Sequence, residues 1–209
     1  MSELYVESPL AHREAPQGLS IDLREISDRG MIDLRGSAND KKFMNAVKKV
    51  LGLDLPKVSR TSVSWGDVKA LWLSIDQWLI LCSRAKVGEL AVALKAELIS
   101  VHSLIVDVSD MRAVLRLEGE GVREVLLKGS SLDLLSEDYA PGTVRRLRFA
   151  EIAALLHVVE DNVFDVYVFR SYADYAWDFL LATARAPAAV KLFGKQGAAA
   201  LNLIGGAKL

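Results

Sequence analysis

Gly30-Met31-Ile32-Asp33-Leu34-Arg35-Gly36 opens a layout that this chain gives twice. A helix-like stretch follows from Asn39 to Leu51 and is closed by Gly52. Then come Leu53-Asp54-Leu55, the apolar segments Leu71 to Ser74 and Gln77 to Cys82, and a second helix from Gly88 to Leu98. The second copy begins Ala113-Val114-Leu115-Arg116-Leu117-Glu118-Gly119 and continues with a helix from Gly121 to Lys128, Gly129 and Leu132-Asp133-Leu134. Strand-like Glu151 to Val158 and Val163 to Phe169 follow, and then a last helix from Ala173 to Ala184. Matching landmarks lie roughly 80 residues apart, which is the spacing of a duplicated supersecondary unit rather than of a short-period array. Strand, helix, strand pair, helix, given twice, predicts an α+β fold. It is internally duplicated, with an antiparallel or mixed sheet and helices packed on one face.

Working outward, Ser20 to Leu23 and Gly30 to Arg35 alternate apolar with polar side chains, as half-buried strands do. Asp28-Arg29-Gly30 between them reads as a hairpin turn. Ser37 or Asn39 is suited to cap the first helix, whose apolar stripe is Phe43, Val47, Val50 and Leu51. Pro56 to Asp67 is polar and reads as a connecting loop, whereas Leu71-Trp72-Leu73 and Trp78-Leu79-Ile80-Leu81 read as strands buried on both faces. The next helix sets Leu90, Val92, Leu94 and Leu98 among charged residues, and Trp177, Leu180 and Leu181 face the core from the last one. The expected organisation is an N-terminal arm (1–18), one domain (19–186) made of two pseudo-repeats of about 19–100 and 101–186, and a C-terminal tail (187–209). That tail is apolar but poor in helix caps, so it is expected to be disordered or docked on another surface.

The bulk numbers exclude several classes. With 51% apolar and 25% charged residues the chain has the balance of a globular protein. Its formal net charge of −1 offers no global attraction to nucleic acid or an anionic membrane. Arg145, Arg146 and Arg148 form a short basic run that reads as solvated or partner-facing charge. The single cysteine, Cys82, ends an apolar strand and reads as a buried, inert thiol, with no disulfide framework or cysteine zinc cluster. Met1 to Ala15 lacks the apolar core of a secretory signal. Asp76 and Glu151 interrupt the two most apolar stretches, short of the roughly 18 residues a membrane span needs. A cytoplasmic location is expected.

Chemistry-bearing patterns are sparse. Gly119-Glu120-Gly121 lacks the third glycine of a dinucleotide fingerprint and reads as a strand-to-helix turn. His12, His102 and His157 are far apart without partners at metal-ligand spacing, and His157 reads as a core residue. No nucleophile-elbow pattern supports a catalytic triad. Asp107, Asp110 and Arg112 crowd the mouth of the second copy. They could hold a small ligand's amine or carboxylate, or form a turn with a capping Asp and an Arg–Asp surface pair. Trp72 and Trp78 read as core, and Trp65 as an interface anchor. No catalytic, cofactor-binding or metal residue is assigned, and the reading from residues alone is a binding module or a subunit.

Several segments carry a family resemblance. They are Ser8-Pro9-Leu10-Ala11-His12, Leu34-Arg35-Gly36, Phe43 and Ala46-Val47 leading to Leu51-Gly52, and Leu55-Pro56. Further along come Leu71-Trp72-Leu73 with Asp76-Gln77-Trp78-Leu79, and Val106-Asp107-Val108-Ser109-Asp110 with Arg112-Ala113. Leu117-Glu118-Gly119, Lys128-Gly129, Leu132-Asp133-Leu134, Pro141-Gly142 and Arg170-Ser171-Tyr172-Ala173 complete the series. In this order, across about residues 8 to 185, they resemble the gamma subunit of heterotetrameric sarcosine oxidase. That family usually has Gly-Pro ahead of the Asp and Glu after it, where this chain has Ser74-Ile75 and Gln77. The resemblance implies a complex that oxidatively demethylates sarcosine to glycine and hydrogen peroxide and passes the one-carbon unit to tetrahydrofolate. FAD, FMN and NAD would sit in other subunits, and this chain would join alpha, beta and delta partners as a noncatalytic assembly subunit. It also implies a fold like the folate-binding domain of the glycine-cleavage aminomethyltransferases, without their C-terminal barrel. The alternatives are a folate- or pterin-binding module with its pocket near Asp107 to Arg112, a subunit of another N-methyl amino-acid dehydrogenase, and a stand-alone enzyme.

Overall fold

The computed structural model describes residues 7–188. In chain order the elements are β1 (Asp22–Glu25), β2 (Gly30–Arg35), α1 (Lys41–Leu51), β3 (Ser62–Trp65), β4 (Val68–Ser74), β5 (Gln77–Cys82) and α2 (Val87–Glu97). Then follow β6 (Leu104–Asp107), β7 (Arg112–Glu118), α3 (Val122–Leu127), β8 (Val144–Phe149), β9 (Ile152–Glu160), β10 (Val163–Phe169) and α4 (Ala173–Ala184). The strands make two five-stranded antiparallel sheets, ordered β3-β4-β5-β2-β6 and β8-β9-β10-β7-β1. The single sheet expected from the sequence is therefore two, stacked face to face with a helix pair on each outer side. Phe43, Val47 and Leu51 of α1 and Ala91 and Leu94 of α2 pack on the first sheet. Val125 and Leu126 of α3 and Trp177 and Leu180 of α4 pack on the second. Between the sheets, Met31, Leu71, Leu79 and Leu81 meet Val114, Val144, Leu155 and Tyr167.

The two strand orders are the same permutation, so the duplication is visible in the topology, with one exchange. The first strand of each copy completes the sheet of the other: β1 pairs with β7, and β6 pairs with β2. Asp28-Arg29-Gly30 is consequently not a hairpin turn but a crossing between sheets. Leu23 of β1 is buried in the α3–α4 layer, while Met31 of β2 is buried between the sheets. Local alternation identified both strands but carries no information on which sheet a strand joins.

Strand β5 shows how the layers are read from one sequence. Trp78, Ile80 and Cys82 point into the helix layer, and Leu79 and Leu81 point between the sheets. All five are at most 2% exposed, as expected for a central strand covered on both faces. Trp78 lies 5.8 Å from Phe43 ring to ring, and its indole N–H donates to the Pro56 carbonyl at 2.8 Å. A Cβ at Gly36 would fall 2.3 Å from the Phe43 ring, so close packing requires glycine at that turn. Gly52 ends α1 in the left-handed conformation (φ 71°) and donates its N–H to Lys48.

Some local expectations are corrected. The cap of α1 is Asp40, whose carboxylate accepts the Lys42 N–H at 2.8 Å, rather than Ser37 or Asn39. The buried face of α2 is Val87, Ala91, Leu94 and Leu98; Val92 points to solvent, rotated about 100° from Ala91. The segment read as a loop from Pro56 to Asp67 contains β3, and its counterpart β8 was likewise not foreseen. Both are edge strands: β8 carries Arg146 and Arg148 on its exposed positions, and β3 alternates Ser62 and Ser64 with the exposed Val63 and Trp65, which hides the pattern of a half-buried strand. The arm is irregular and, from Glu7 onward, packed against the domain. Leu10 is buried, and Arg13 pairs with Asp174 (3.3 Å) and Asp178 of α4. The tail beyond Ala188 lies outside the described residues. Among the described residues no helix is long and apolar enough to cross a membrane.

Candidate functional site

The ionisable side chains that the fold buries lie mainly between the sheets. Asp165 on β10 is 1% exposed and receives two bonds from Arg116 on β7, Nε at 2.7 Å and Nη2 at 2.9 Å. The register sets Asp165 opposite Arg116, so their side chains emerge on the same face. Arg29, from the crossing segment, stands 3.9 Å from the same carboxylate. The neighbouring Tyr167 hydroxyl is held protonated, first by burial and then by the Asp165 charge, and burial also lowers the pKa of Lys69 despite the attraction of Asp165.

His157 on β9 sits in the same layer, 3% exposed. The Ser62 hydroxyl donates to the Gly142 carbonyl at 3.0 Å, so it accepts from His157 Nε2–H, also at 3.0 Å. Nδ1 is then the deprotonated nitrogen, and it has no hydrogen-bond partner among the described residues. His157 is thus a core residue, as read from the sequence, but half satisfied. Burial lowers its pKa to about 4; Asp165 opposes the shift, while Lys69, Arg29 and Arg116 add to it. Protons therefore favour the unfolded chain between about pH 6.5 and pH 4. Stability should be full above pH 6.5 and fall by about 3 kcal/mol toward pH 4, at about 1.4 kcal/mol per pH unit. His157→Gln, which keeps a donor toward Ser62, should flatten that slope in urea melts, and an unchanged slope would refute the assignment.

A second polar group lies at the other end of the layer. Gln77 donates through Nε2 to both Asp33 carboxylate oxygens (2.9 and 3.1 Å) and accepts from Arg146 at 3.0 Å. This explains the Gln at a position where the resembled family usually has Glu, since a second carboxylate could not donate to Asp33. It also refines the reading of the basic run as solvated charge, since Arg146 and Arg148 are exposed but Arg146 has a partner. Arg146, though exposed, reaches Gln77 across the two sheets, Arg145 is half-buried and reaches the Tyr139 hydroxyl at 3.3 Å, and exposed Arg148 pairs with Glu151.

Asp110 and Arg112, but not Asp107, line a cavity of about 310 Å³, where the crossing segment, the Ser109–Ala113 stretch and the arm meet. They do not form the expected Arg–Asp pair. Asp107 accepts the Ser109 N–H at 3.0 Å, and Asp110 pairs with Arg84 at 2.7 Å. Arg112 instead stacks on the Phe169 ring, 4.7 Å from its centroid. Burial, then the nearby Arg146 charge, lowers the Arg112 pKa, against the pull of Asp33. No aromatic ring is among the residues that line the cavity. A second cavity of about 600 Å³ lies at the Gly36–Asp40 turn beside His102. Cys82 is buried, and burial followed by the Asp107 charge raises its thiol pKa, which agrees with an inert thiol. Among the described residues no three His, Cys, Asp or Glu side chains group as metal ligands. The Gln77 bridge and the Arg112–Phe169 stack were not foreseen, because partners so distant in sequence leave no local signal.

The fold is a duplicated two-sheet α+β domain with its buried charges tied up between the sheets. The chain belongs to the sarcosine oxidase gamma subunit family, whose model matches residues 35–186. A chain of the heterotetrameric sarcosine oxidase from Corynebacterium sp. U-96, solved in complex with pyrrole 2-carboxylate, matches with a TM-score of 0.79 and 22% identity. The match covers 88% of this chain and 97% of that one. The glycine cleavage system aminomethyltransferase T from Bartonella henselae matches with a TM-score of 0.58 and 13% identity over 78% of this chain. The match spans only 46% of the aminomethyltransferase chain. At these identities both are likenesses of fold. A comparison with curated proteins finds no match.

Proposed function

We propose that this gamma-family chain is a noncatalytic assembly subunit of a sarcosine oxidase complex, bound to alpha, beta and delta partners that carry the FAD, FMN, NAD and tetrahydrofolate chemistry. The observation that carries this reading is the family match over residues 35–186 on a fold that covers nearly all of a sarcosine oxidase chain. The internal chemistry agrees with it. Asp165 is locked by Arg116, and His157 is held neutral and away from solvent, so neither is poised to exchange protons with a substrate. Exposed apolar side chains supply candidate contacts. Trp65 is 68% exposed on edge strand β3, and Ile75 is 80% exposed at the β4–β5 turn.

The test is co-expression with an alpha/beta/delta set followed by size-exclusion chromatography and a sarcosine-dependent peroxide assay. Co-elution, with activity that falls when this chain is omitted, is the expected result. Elution apart from the set with unchanged activity would refute the assembly role, and sarcosine turnover by the isolated chain would refute its being noncatalytic.

A further inference from the structure

We propose that the cavity beside Arg112 binds the carboxylate of a free small organic acid, with the Arg112 guanidinium as its main anchor and Arg29 and Arg170 at its sides. The inference is independent of the subunit reading, because it stands on the cavity alone.

Charge matching is the first argument. Among the described residues, the Arg112 guanidinium has no hydrogen bond and no ion pair, and it stacks on the Phe169 ring at 4.7 Å. A guanidinium carries five donors in a rigid fork, and such a group, largely desolvated, is ordinarily matched by a carboxylate or phosphate. The neighbouring Arg29 and Arg170 have no short bond to a carboxylate. Arg29 is 3.9 Å from Asp165, but that carboxylate already receives both bonds from Arg116. Arg170 gives Nη2 to the Glu7 backbone carbonyl, which carries no net charge. Arg84 is the exception, neutralised by Asp110 at 2.7 Å. Glu7 and Glu25 also line the cavity, but neither side chain pairs with these arginines among the described residues.

Shape is the second argument. The volume of about 310 Å³ lies at the small end of ligand cavities, enough for a compact acid. Met31, Ile26 and Ala113 give the wall an apolar part beside the guanidinium groups. An apolar body with one or two carboxylates is complementary to such a wall, and a planar carboxylate can take two parallel bonds from a guanidinium fork. The walls come from the arm, the crossing segment, the start of β7 and the turn after β10, so the strand exchange between the copies is what assembles them.

Titration calorimetry of the full chain with succinate, and with inorganic phosphate as the competing anion, tests the proposal. Saturable succinate binding is expected, weakened about tenfold or more by Arg112→Gln and less by Arg112→Lys. Thermal melts of both variants must show folded protein; if Arg112→Gln does not fold, Arg170→Gln serves in its place, with a smaller weakening expected. No succinate binding, or binding unaffected by these variants, would overturn the proposal, and so would phosphate binding as tightly as succinate. Titration of the assembled complex separates a free acid from a partner's carboxylate side chain. Binding should persist in the complex, and its loss on assembly would overturn the free-acid assignment.

Discussion

Asp165→Ala should lower the unfolding free energy by about 3–5 kcal/mol, the largest loss expected from any single charge deletion in this domain. The carboxylate is 1% exposed and takes two bonds from Arg116 with Arg29 close by. Removing it leaves two guanidinium groups between the sheets with no counter-charge, and it is this uncompensated burial that makes the loss large. The pair's net contribution is a different quantity. Asp165→Leu combined with Arg116→Met should recover most of the loss, since hydrophobic replacement of a buried pair is often nearly neutral. Urea melts of the two single variants and the double variant give the coupling directly. A loss under about 1 kcal/mol for Asp165→Ala would mean that water reaches the pair and that it behaves like a surface salt bridge.

Trp78→Ala should cost a comparable 3–5 kcal/mol by a different route. The side chain is completely buried in the helix layer, stacks near Phe43, and satisfies the Pro56 carbonyl through its indole N–H. Truncation opens a large cavity beneath α1 and leaves that carbonyl without its donor. Trp78→Phe separates the two causes. It keeps most of the volume, so its loss should be smaller and should report mainly the unmatched carbonyl, about 1–3 kcal/mol. Equal losses for the two variants in denaturant melts would contradict this division.

The parts of the fold that were legible in the sequence are those set by local physics. The run Trp78 to Cys82 announces a strand covered on both faces, and Phe43, Val47 and Leu51 announce a helix stripe. Gly52 announces the end of α1. The duplication was legible because each copy repeats the same local order. What was not legible depends on partners distant in the chain. Short β1 and β6 satisfy the same alternation in either sheet, and only packing of Leu23 against α3 and α4 decides between them. Edge strands β3 and β8 carry Ser and Arg where a pattern search expects apolar residues. At the candidate site, Asp107, Asp110 and Arg112 are close in sequence, but only Asp110 and Arg112 line the cavity. Their pairing was not readable, because the partner of Asp110 is Arg84 from the turn before α2, and Arg112 looks to Phe169 at the end of β10.

Membership of the gamma subunit family makes assembly the central claim, and the most direct measurement of it is native mass spectrometry of this chain co-expressed with alpha, beta and delta partners. The account predicts a four-chain complex that contains one copy of this chain and loses it as a unit on dissociation. A spectrum in which the chain appears only at its own mass, beside a partner complex that is complete without it, would contradict the account.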